Sequence, residues 1–285
     1  MATELDLSGQ VVLVTGGVRG VGLGITHAFR DAGATVVTCS RSPVVEPARP
    51  EPRRRVETDH VVADVRDPDS VASLIEHIVA GHGRLDVLVN NAGGAPYSLA
   101  QDATHRFHSK VVDLNLLAPL LVSQAANEVM QRQQDGGSIV MVSSISATRP
   151  SPGTAVYGAA KAGVDSLTRS LAVEWAPKVR VNSIDVGLVR TEQTDLHYGG
   201  EAGVAAIEAT IPLGRLARPE EIGGVAVFLA SPLASYVSGA TVAAHGGGEP
   251  PPFLAAARSA VDPVVEPACP EPRRRVETQR SSIDL

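Results

Sequence analysis

Residues 11–22 read VVLVTGGVRGVG, an apolar run followed directly by a glycine-rich turn. Residues 11–15 are typical of a buried strand in a parallel sheet, because they are β-branched or apolar without alternation. Gly16, Gly20 and Gly22 then allow a sharp turn and a close approach of the main chain to a ligand. A helix that begins here would present free amides and its positive dipole end to phosphate groups. The stretch therefore predicts a strand–turn–helix unit that binds a dinucleotide.

The alternation of strand and helix continues along the chain. Further strands are predicted within residues 35–39, 60–64, 85–90, 138–142, 179–184 and 240–243, and helices within residues 21–31, 70–80, 104–131, 155–175 and 219–230. Apolar strands separated by helices favour a parallel sheet that is covered on both faces. We therefore expect an α/β fold: a Rossmann-type, doubly wound parallel sheet of about seven strands with helices on both faces. Residues 1–250 would form one dinucleotide-binding and catalytic domain, and residues 251–285 a Pro/Arg-rich extension.

Composition excludes several classes of protein. Hydrophobic residues make up 44% of the 285 residues and aromatic residues only 3%, so an aliphatic core is expected. No apolar run approaches the length of about 18 residues that a membrane span needs, and residues 1–9 lack the apolar core of a signal peptide. The net charge of −6 does not favour binding to nucleic acid or an anionic membrane. The two cysteines, Cys39 and Cys269, lie far apart, which suits a reducing compartment. We expect a cytoplasmic protein.

A Pro-rich segment occurs twice. Residues 43–58 read PVVEPARPEPRRRVET, and residues 263–278 repeat them with Cys269 in place of Arg49. Because proline cannot continue a helix, an extended connection is expected after the second strand. The simpler interpretation of the second copy is a recent duplication appended to a finished domain. The alternative is that the tail copy competes for the surface of the first copy, in the same or a neighbouring subunit.

The end of the second strand bears on the choice of dinucleotide. It reads Cys39-Ser40-Arg41, with no acidic residue. Enzymes that use NAD tend to place an acid there to bind the 2′-hydroxyl of the adenosine ribose. Arg41 and Arg19 can instead bind a 2′-phosphate through charge-assisted hydrogen bonds. NADP is therefore predicted, with NAD as the alternative if both arginines are simply solvated surface charges.

A tyrosine and a lysine are separated by four residues on one predicted helix. Tyr157 and Lys161 would share one face of that helix. The ordinary pKa of tyrosine is about 10, and a nearby ammonium is expected to lower it and make Tyr157 a better proton exchanger. Ser144 follows the strand at 138–142, at the sheet edge where α/β proteins bind ligands, and can donate to a carbonyl oxygen. Taken singly, these residues could instead be a surface pair and a strand cap.

Five motifs occur in a familiar order: TGGVRGVG at 15–22, NNAG at 90–93, Asn115, Ser144 and YGAAK at 157–161. Together they resemble the short-chain dehydrogenase/reductase family, in its single-domain branch of about 250 residues. The resemblance runs from about residue 7 to residue 248. It implies hydride transfer between a nicotinamide cofactor and a carbonyl or secondary alcohol group, on a ketone or 3-oxoacyl type of substrate. It also implies a homotetramer or homodimer.

The resemblance implies a role for each matching residue. The catalytic residues would be Asn115, Ser144, Tyr157 and Lys161, with Ser144 orienting the substrate oxygen and Asn115 holding a water that links Lys161 to solvent. Asp64 would contact adenine, and residues 187–191 the carboxamide and phosphate side. The full set expected at the cofactor comprises Gly16, Arg19, Gly20, Val21, Gly22, Ser40, Arg41, Asp64, Val65, Asn91, Ala92, Gly93, Tyr157, Lys161, Gly187, Val189 and Thr191.

The chain departs from the family pattern at two places. Val186 precedes Gly187 where the family usually has proline, and His245 precedes Gly246 where it usually has aspartate. We interpret His245 as a packing or subunit-contact residue, and residues 188–212 as a mobile lid over the substrate. No metal site is predicted, since His105 and His108 lack a third ligand.

Two other functions stay open at this point. The first is a catalytically silent NAD(P)-binding sensor or assembly protein of the same fold. The second is an epimerase or dehydratase, which would normally need a larger substrate domain than the short tail after Gly248.

Overall fold

The computed structural model describes residues 5–43, 59–194, 198–251 and 253. Its strands are β1 Val11–Thr15, β2 Thr35–Ser40, β3 Asp59–Val62, β4 Val87–Asn90, β5 Gly137–Val142, β6 Val179–Val186 and β7 Thr241–Ala244. Its α-helices are α1 Gly20–Asp31, α2 Pro68–His82, α3 His105–Val112, α4 Ala118–Arg132, α5 Ala155–Glu174, α6 Glu201–Glu208 and α7 Pro219–Ala230. A π-helical turn at Asp113–Leu117 joins α3 to α4, and 3₁₀ turns lie at Ile145–Ala147 and Pro232–Ala234.

The strands form one parallel sheet in the order β3-β2-β1-β4-β5-β6-β7. The chain therefore runs outward from β1 to one edge and then returns to continue from β4 to the other. This order is the doubly wound topology, and it confirms the predicted fold class. The switch between β1 and β4 opens a crevice at the carboxyl ends of these strands, where such folds bind ligands.

Two apolar layers enclose the sheet. On one face, α2, α4 and α5 bury aliphatic side chains such as Leu74, Val122 and Val164. On the other face, α1 and α7 bury Phe29 and Ile222, among others. The large buried residues are mainly aliphatic, as the composition predicts. Both faces are covered, which explains why the strands carry apolar residues without alternation.

The close contact between α1 and α7 depends on two glycines. A Cβ at Gly24 would clash with Pro219, and a Cβ at Gly223 would lie 2.6 Å from the Cβ of Ala28. Because neither glycine has a side chain, the main chains of the two helices can approach each other closely. This contact fixes the middle of α1 against α7.

The structure differs from the sequence-based expectation in two helical regions. The helix predicted over 104–131 is divided by the π-helical turn Asp113–Leu117 into α3 and α4. The connection predicted over 188–212 contains the helix α6, which the sequence reading missed. Whether this connection moves as a lid stays a prediction.

The chain divides into two units, Met1–Glu249 and Pro250–Leu285. Most of the first Pro-rich copy and all of the second lie outside the described residues, so both interpretations of the repeat stay predictions. The assignment of one domain to residues 1–250 also stays a prediction. Within the described ranges, no helix is long and apolar enough to cross a membrane.

A buried carboxylate joins the start of β1 to the loop before β4. Asp86 is 7% exposed, and its Oδ2 accepts a hydrogen bond of 2.8 Å from the Val11 amide. Arg84 donates to the same carboxylate at 2.6 Å through Nη2 and at 2.8 Å through Nε. The amide and the guanidinium together offset the cost of burying this charge.

Replacing Asp86 with alanine should therefore destabilise the fold. Asp86→Ala leaves the Val11 amide without its partner and Arg84 without its counter-ion, so we expect a loss of about 2–4 kcal/mol in the free energy of unfolding. Urea denaturation would measure it. Glu128→Ala removes the exposed i,i+4 pair with Arg132 and should cost less than about 0.5 kcal/mol. Equal losses in the two variants would contradict the structural role of Asp86.

Candidate active site

A cleft of about 780 Å³ opens at the carboxyl ends of β1 and β4. Its lining includes every residue that the sequence assigned to the cofactor: Gly16, Arg19, Gly20, Val21, Gly22, Ser40, Arg41, Asp64, Val65, Asn91, Ala92, Gly93, Tyr157, Lys161, Gly187, Val189 and Thr191. Ser144 also lines the cleft, whereas the fully buried Asn115 lies behind it. The structure thus brings the predicted residues to one place, and their role in binding stays a prediction.

The glycine-rich turn presents main chain to this cleft. Gly16 and Gly20 have φ values of +64° and +51°, which favour glycine. A Cβ at Gly22 would clash with the carbonyl of Gly16 and lie 2.5 Å from Nδ2 of Asn91. The residue before α1, Arg19, makes no side-chain cap on the helix. A bare turn at a helix N-terminus fits a pyrophosphate group.

Hydrogen bonds fix this turn to the end of β4. The hydroxyl of Thr15 accepts from the amides of Asn91 and Ala92, each at 3.0 Å. The side-chain amide of Asn91 donates to the carbonyls of Thr15 at 2.9 Å and Gly16 at 3.2 Å. The two strand ends therefore behave as one rigid wall of the cleft.

Positive charge surrounds the far end of the cleft. Arg66 holds Asp64 through Nη2 at 2.6 Å and Nε at 2.9 Å, and this hydrogen bonding lowers the pKa of Asp64 to about 2. The charge of Arg41 makes a smaller contribution to the same shift. Asp64 is consequently ionised and already paired. Arg41 and Arg19 are exposed at the rim of the same cleft.

Lys161 lies at the inner end of the cleft with 3% of its surface exposed. Its Nζ donates to the Val142 carbonyl at 2.7 Å and lies 5.7 Å from the centroid of the Tyr157 ring. Burial lowers the pKa of Lys161 to about 8, and the charge of Asp165 opposes this shift. The ammonium is therefore easier to deprotonate than an ordinary lysine.

Ser144 and Tyr157 line the same cleft, and Ser144 is near enough to lower the pKa of the Tyr157 phenol. The Ser144 oxygen also accepts from the Ser146 amide at 3.2 Å, which fixes the serine side chain. Burial raises the pKa of the Tyr157 phenol, and this contribution outweighs that of Ser144. The sequence predicted a pKa lowered by Lys161. The structure shows the opposite direction, because burial of the ring disfavours the phenolate.

Asn115 is held in the π-helical turn and is fully buried. Its Oδ1 accepts from the Gly94 amide at 2.8 Å, and its Nδ2 donates to the Gly94 carbonyl at 3.0 Å and the Val111 carbonyl at 2.9 Å. A Cβ at Gly93 would lie 2.8 Å from Oδ1 of Asn115 and 3.5 Å from Nζ of Lys161. Asn115 thus lies near Lys161. Its hydrogen bonds to Gly94 fix the loop at residues 93–94, which lies next to both side chains. The predicted water link stays a prediction.

Two buried acids behind Lys161 were missed by the sequence analysis. Asp165 lies one turn after Lys161 on α5, and its Oδ1 accepts from the Ser183 hydroxyl at 3.1 Å. Asp185 lies near the end of β6, where burial and then the charge of Asp165 raise its pKa to about 6. The sequence did contain an indication of this site. Asp185 is a charged residue at the end of a strand whose other residues are expected to be buried.

The two histidines near the predicted site lie in different surroundings. His245 follows β7 and packs against Gly187, where a Cβ would lie 2.6 Å from the His245 Cα. Its Nδ1 is buried without a hydrogen-bond partner among the described residues. His108 lies on α3, and no three His, Cys, Asp or Glu side chains in the described part of the chain converge as a metal site.

Comparison with known proteins agrees with this geometry. Residues 16–249 match the family described as enoyl-(acyl carrier protein) reductase. Human dehydrogenase/reductase SDR family member 4 is 34% identical over 251 residues, which cover 87% of this chain and 90% of the human protein. The 3-oxoacyl-[acyl-carrier-protein] reductase of Thermotoga maritima is 36% identical over 249 residues, which cover 85% and 99%.

A solved structure extends the match to three dimensions. The ligand-free aldohexose dehydrogenase of Thermoplasma acidophilum superposes with a TM-score of 0.77 at 29% identity, covering 92% of this chain and 98% of that one. The family match at residues 16–249 contains β2 to β7 and the Ser144, Tyr157 and Lys161 positions. The protein is therefore an oxidoreductase that acts on CH–OH groups, and the chain belongs to the NAD(P)-dependent short-chain dehydrogenase/reductase family.

Proposed function

We propose that the protein is an NADP(H)-dependent reductase of ketones or 3-oxoacyl groups, which also catalyses the reverse oxidation of a secondary alcohol. The observation that carries this proposal is the convergence of Ser144, Tyr157 and Lys161 in one cleft, with the buried ammonium of Lys161 5.7 Å from the centroid of the Tyr157 ring. These groups lie in the same cleft as the glycine-rich turn. When bound, the nicotinamide cofactor supplies the hydride.

Tyr157 is the proton donor of the proposed reduction. Its raised pKa keeps the phenol protonated at neutral pH, so the proton is available to a substrate oxygen as negative charge develops there. The Ser144 hydroxyl can donate a second hydrogen bond to that oxygen, and the Ser146 amide holds the serine in place. The pair therefore orients a carbonyl and protonates it.

Lys161 supports both the tyrosine and the cofactor ribose. An ammonium has three donors, and the bond to the Val142 carbonyl uses one of them. The remaining donors can serve ribose hydroxyls, and the positive charge favours the phenolate that forms when Tyr157 releases its proton. These roles require Lys161 to be protonated.

The preference for NADP rests on the charges at the far end of the cleft. Arg41 follows β2, where an acid would favour NAD, and Arg19 lies in the glycine-rich turn. Asp64 is neutralised by Arg66 and so does not cancel the positive charge of Arg41. Together the arginines favour a 2′-phosphate.

The proposed substrate is a medium-sized, mostly apolar ketone or a 3-oxoacyl thioester. One relative, from Thermotoga maritima, carries the name of a 3-oxoacyl-carrier-protein reductase. A small hollow next to Tyr157 is lined by apolar side chains such as Val111 and Val156 and by Gly153, against which the exposed ring of Tyr97 packs. Such an apolar rim suits an acyl or alkyl chain. A silent sensor is not favoured, because the geometry of Ser144, Tyr157 and Lys161 is intact.

We also propose that the protein works in the cytoplasm as a homotetramer or homodimer. Leu117, the last residue of the π-helical turn before α4, and Val173 on α5 are 50% and 79% exposed. Apolar side chains exposed on neighbouring helices suit a subunit contact.

Removing the Tyr157 hydroxyl should abolish turnover. The wild type should oxidise NADPH in the presence of a panel of ketones and 3-oxoacyl thioesters, followed by absorbance of the nicotinamide. Tyr157→Phe should reduce kcat by about 100-fold or more, because the proton donor is lost, while NADPH still binds. Tyr236→Phe, at a fully exposed tyrosine, is the matched control and should keep full activity. Failure of the wild type to bind either dinucleotide would refute the proposal.

Replacing Arg41 should weaken NADPH selectively. Loss of a charge-assisted hydrogen bond predicts that Arg41→Ala raises the KM for NADPH by about tenfold or more and changes that for NADH by less than about twofold. Steady-state kinetics with both cofactors would measure this. Arg132→Ala, at an exposed arginine on α4, should alter neither value. Equal effects on NADPH and NADH would show that Arg41 does not bind the 2′-phosphate.

The pH dependence of reduction should show the lowered pKa of Lys161. Below about pH 8 the lysine is protonated, and as pH rises through that value its charge is lost. We therefore expect kcat/KM for NADPH-dependent reduction to fall above about pH 8. In Lys161→Arg this decline should disappear, although the maximal rate is lower, because a guanidinium stays charged. A wild-type profile flat to about pH 10 would contradict a functional role for the lysine charge.

A further inference from the structure

A histidine on β3 lies beside the end of β2 that carries Ser40 and Arg41. His60 pairs with Thr38 in the parallel register of the two strands. Its two ring nitrogens each meet a hydroxyl of β2. Nδ1 lies 3.0 Å from Oγ1 of Thr38, and Nε2 lies 3.2 Å from Oγ of Ser40. The imidazole therefore bridges two side chains that are two residues apart on one face of β2.

The direction of these hydrogen bonds follows from the Ser40 hydroxyl. Ser40 has one hydrogen to donate, and its Oγ lies 2.7 Å from the Ser42 carbonyl oxygen, which can only accept. Ser40 therefore donates to Ser42, and its oxygen accepts from Nε2 of His60. In the neutral ring the proton is then on Nε2, and Nδ1 accepts from the Thr38 hydroxyl. The hydrogen bonds run in one direction, from Thr38 through His60 and Ser40 to Ser42.

This chain of hydrogen bonds begins in the core and ends at the cleft. Thr38 is 2% exposed, whereas His60 and Ser40 are half-buried. Ser40 and Ser42 line the cleft, with Arg41 between them. The bond from the Ser40 hydroxyl to the Ser42 carbonyl spans Arg41, so it holds the main chain on both sides of that residue. His60 thus acts, through Ser40, on the segment that carries the arginine proposed to bind the 2′-phosphate.

The Ser40 hydroxyl can also serve a phosphate directly. An ionised phosphate oxygen accepts hydrogen bonds, and a hydroxyl that donates to it makes a charge-assisted bond. Rotation of the O–H bond about Cβ–Oγ redirects the Ser40 hydrogen away from the Ser42 carbonyl without moving the oxygen. The Nε2–H of His60 can hold that oxygen in both orientations. The 2′-hydroxyl of NAD lacks the charge that strengthens such a bond.

We propose that His60 is a positioning residue for NADP recognition, which holds the Ser40 oxygen so that its hydrogen turns from the Ser42 carbonyl to the 2′-phosphate. This inference rests on the proposed function, since it concerns the same cofactor. It adds a neutral donor to the two arginines at the rim of the cleft. His60 acts on the cofactor through Ser40, so its effect depends on the serine hydroxyl.

Two substitutions of His60 separate the roles of the two ring nitrogens. Glutamine can place its amide nitrogen near the position of Nε2 and keep a donor to Ser40. Asparagine is shorter and reaches only the position of Nδ1, beside Thr38. His60→Asn should lower the preference for NADPH over NADH about fivefold, the typical effect of one hydrogen bond. The KM for NADPH should rise and kcat should be retained. His60→Gln should keep most of the preference, and steady-state kinetics with both cofactors would measure it.

The matched control is a histidine that faces the same strand from its other side. His77 on α2 contacts Asp59, the residue before His60, with 2.8 Å between Nε2 and Oδ2. His77→Asn therefore perturbs β3 without removing the donor to Ser40, and it should keep the wild-type preference. Equal losses of preference in His60→Asn and His77→Asn would overturn the proposal. Equal losses in His60→Asn and His60→Gln would overturn it as well.

A double variant tests the route through Ser40. Ser40→Ala removes the hydroxyl that His60 holds, so His60→Asn should have little further effect on the cofactor preference in that background. This coupling distinguishes a positioning role from a general loss of stability, which would add to the effect of Ser40→Ala. An effect of His60→Asn that is undiminished in the Ser40→Ala background would overturn the proposed route.

The tautomer of His60 can be measured without cofactor or substrate. Nitrogen NMR of the wild type with isotope-labelled histidine, at a pH where the ring is neutral, should show the proton on Nε2 and none on Nδ1. His60→Gln identifies its signals among those of the eight histidines. A wild type that prefers NADPH but carries the proton on Nδ1 would overturn this inference alone. A wild type with the expected tautomer that binds neither NADPH nor NADH would overturn the proposed function, and with it the role of His60 in recognition.

Discussion

The ends of β1 and β4 are joined by the side chains of Thr15 and Asn91, and the rest of the site depends on this joint. Four hydrogen bonds hold the two strand ends together at the point where the order of strands in the sheet reverses. One side of the joint carries the glycine-rich turn, and the other leads to Gly93 and Lys161. A small change in the distance between β1 and β4 would therefore alter the nucleotide and chemical ends of the cleft together.

Electrostatics in the inner part of the cleft are governed by burial. Burial makes the ammonium of Lys161 easier to deprotonate and the phenol of Tyr157 harder to deprotonate. Both shifts favour neutral side chains, so the site needs a compensating charge to keep Lys161 cationic. Asp165 supplies that charge from the next turn of α5, which connects a residue far from the cleft surface with the chemistry inside it.

Much of the fold and the outline of the site were predictable from the sequence. Continuous apolar runs identified the seven strands, and their alternation with helices indicated the parallel sheet. The glycine-rich turn and the Tyr157–Lys161 spacing needed only local geometry to place them on a turn and on one helix face. The helix α6 was not predicted because its apolar residues show little helical periodicity. Val204 is its buried residue.

Features that depend on contacts between segments far apart in the chain could not be predicted from the sequence in this way. The direction of the Tyr157 pKa follows from how the ring is buried, which the local sequence does not contain. The effect of the Asp165 charge on Asp185 depends on how β6 lies against α5, because the two residues are 20 positions apart in the chain. The pairing of Arg66 with Asp64 was equally unexpected, since side-chain pairing in a turn follows no periodicity.

The π-helical turn between α3 and α4 has a geometric consequence of its own. A π turn holds one residue more than an α turn, and each residue of an α-helix advances its direction by about 100°. The extra residue therefore changes the phase of α4 relative to α3 at the turn that holds the buried Asn115. Asn115 bonds back to the Val111 carbonyl on α3, so the asparagine itself ties the shifted turn to the preceding helix.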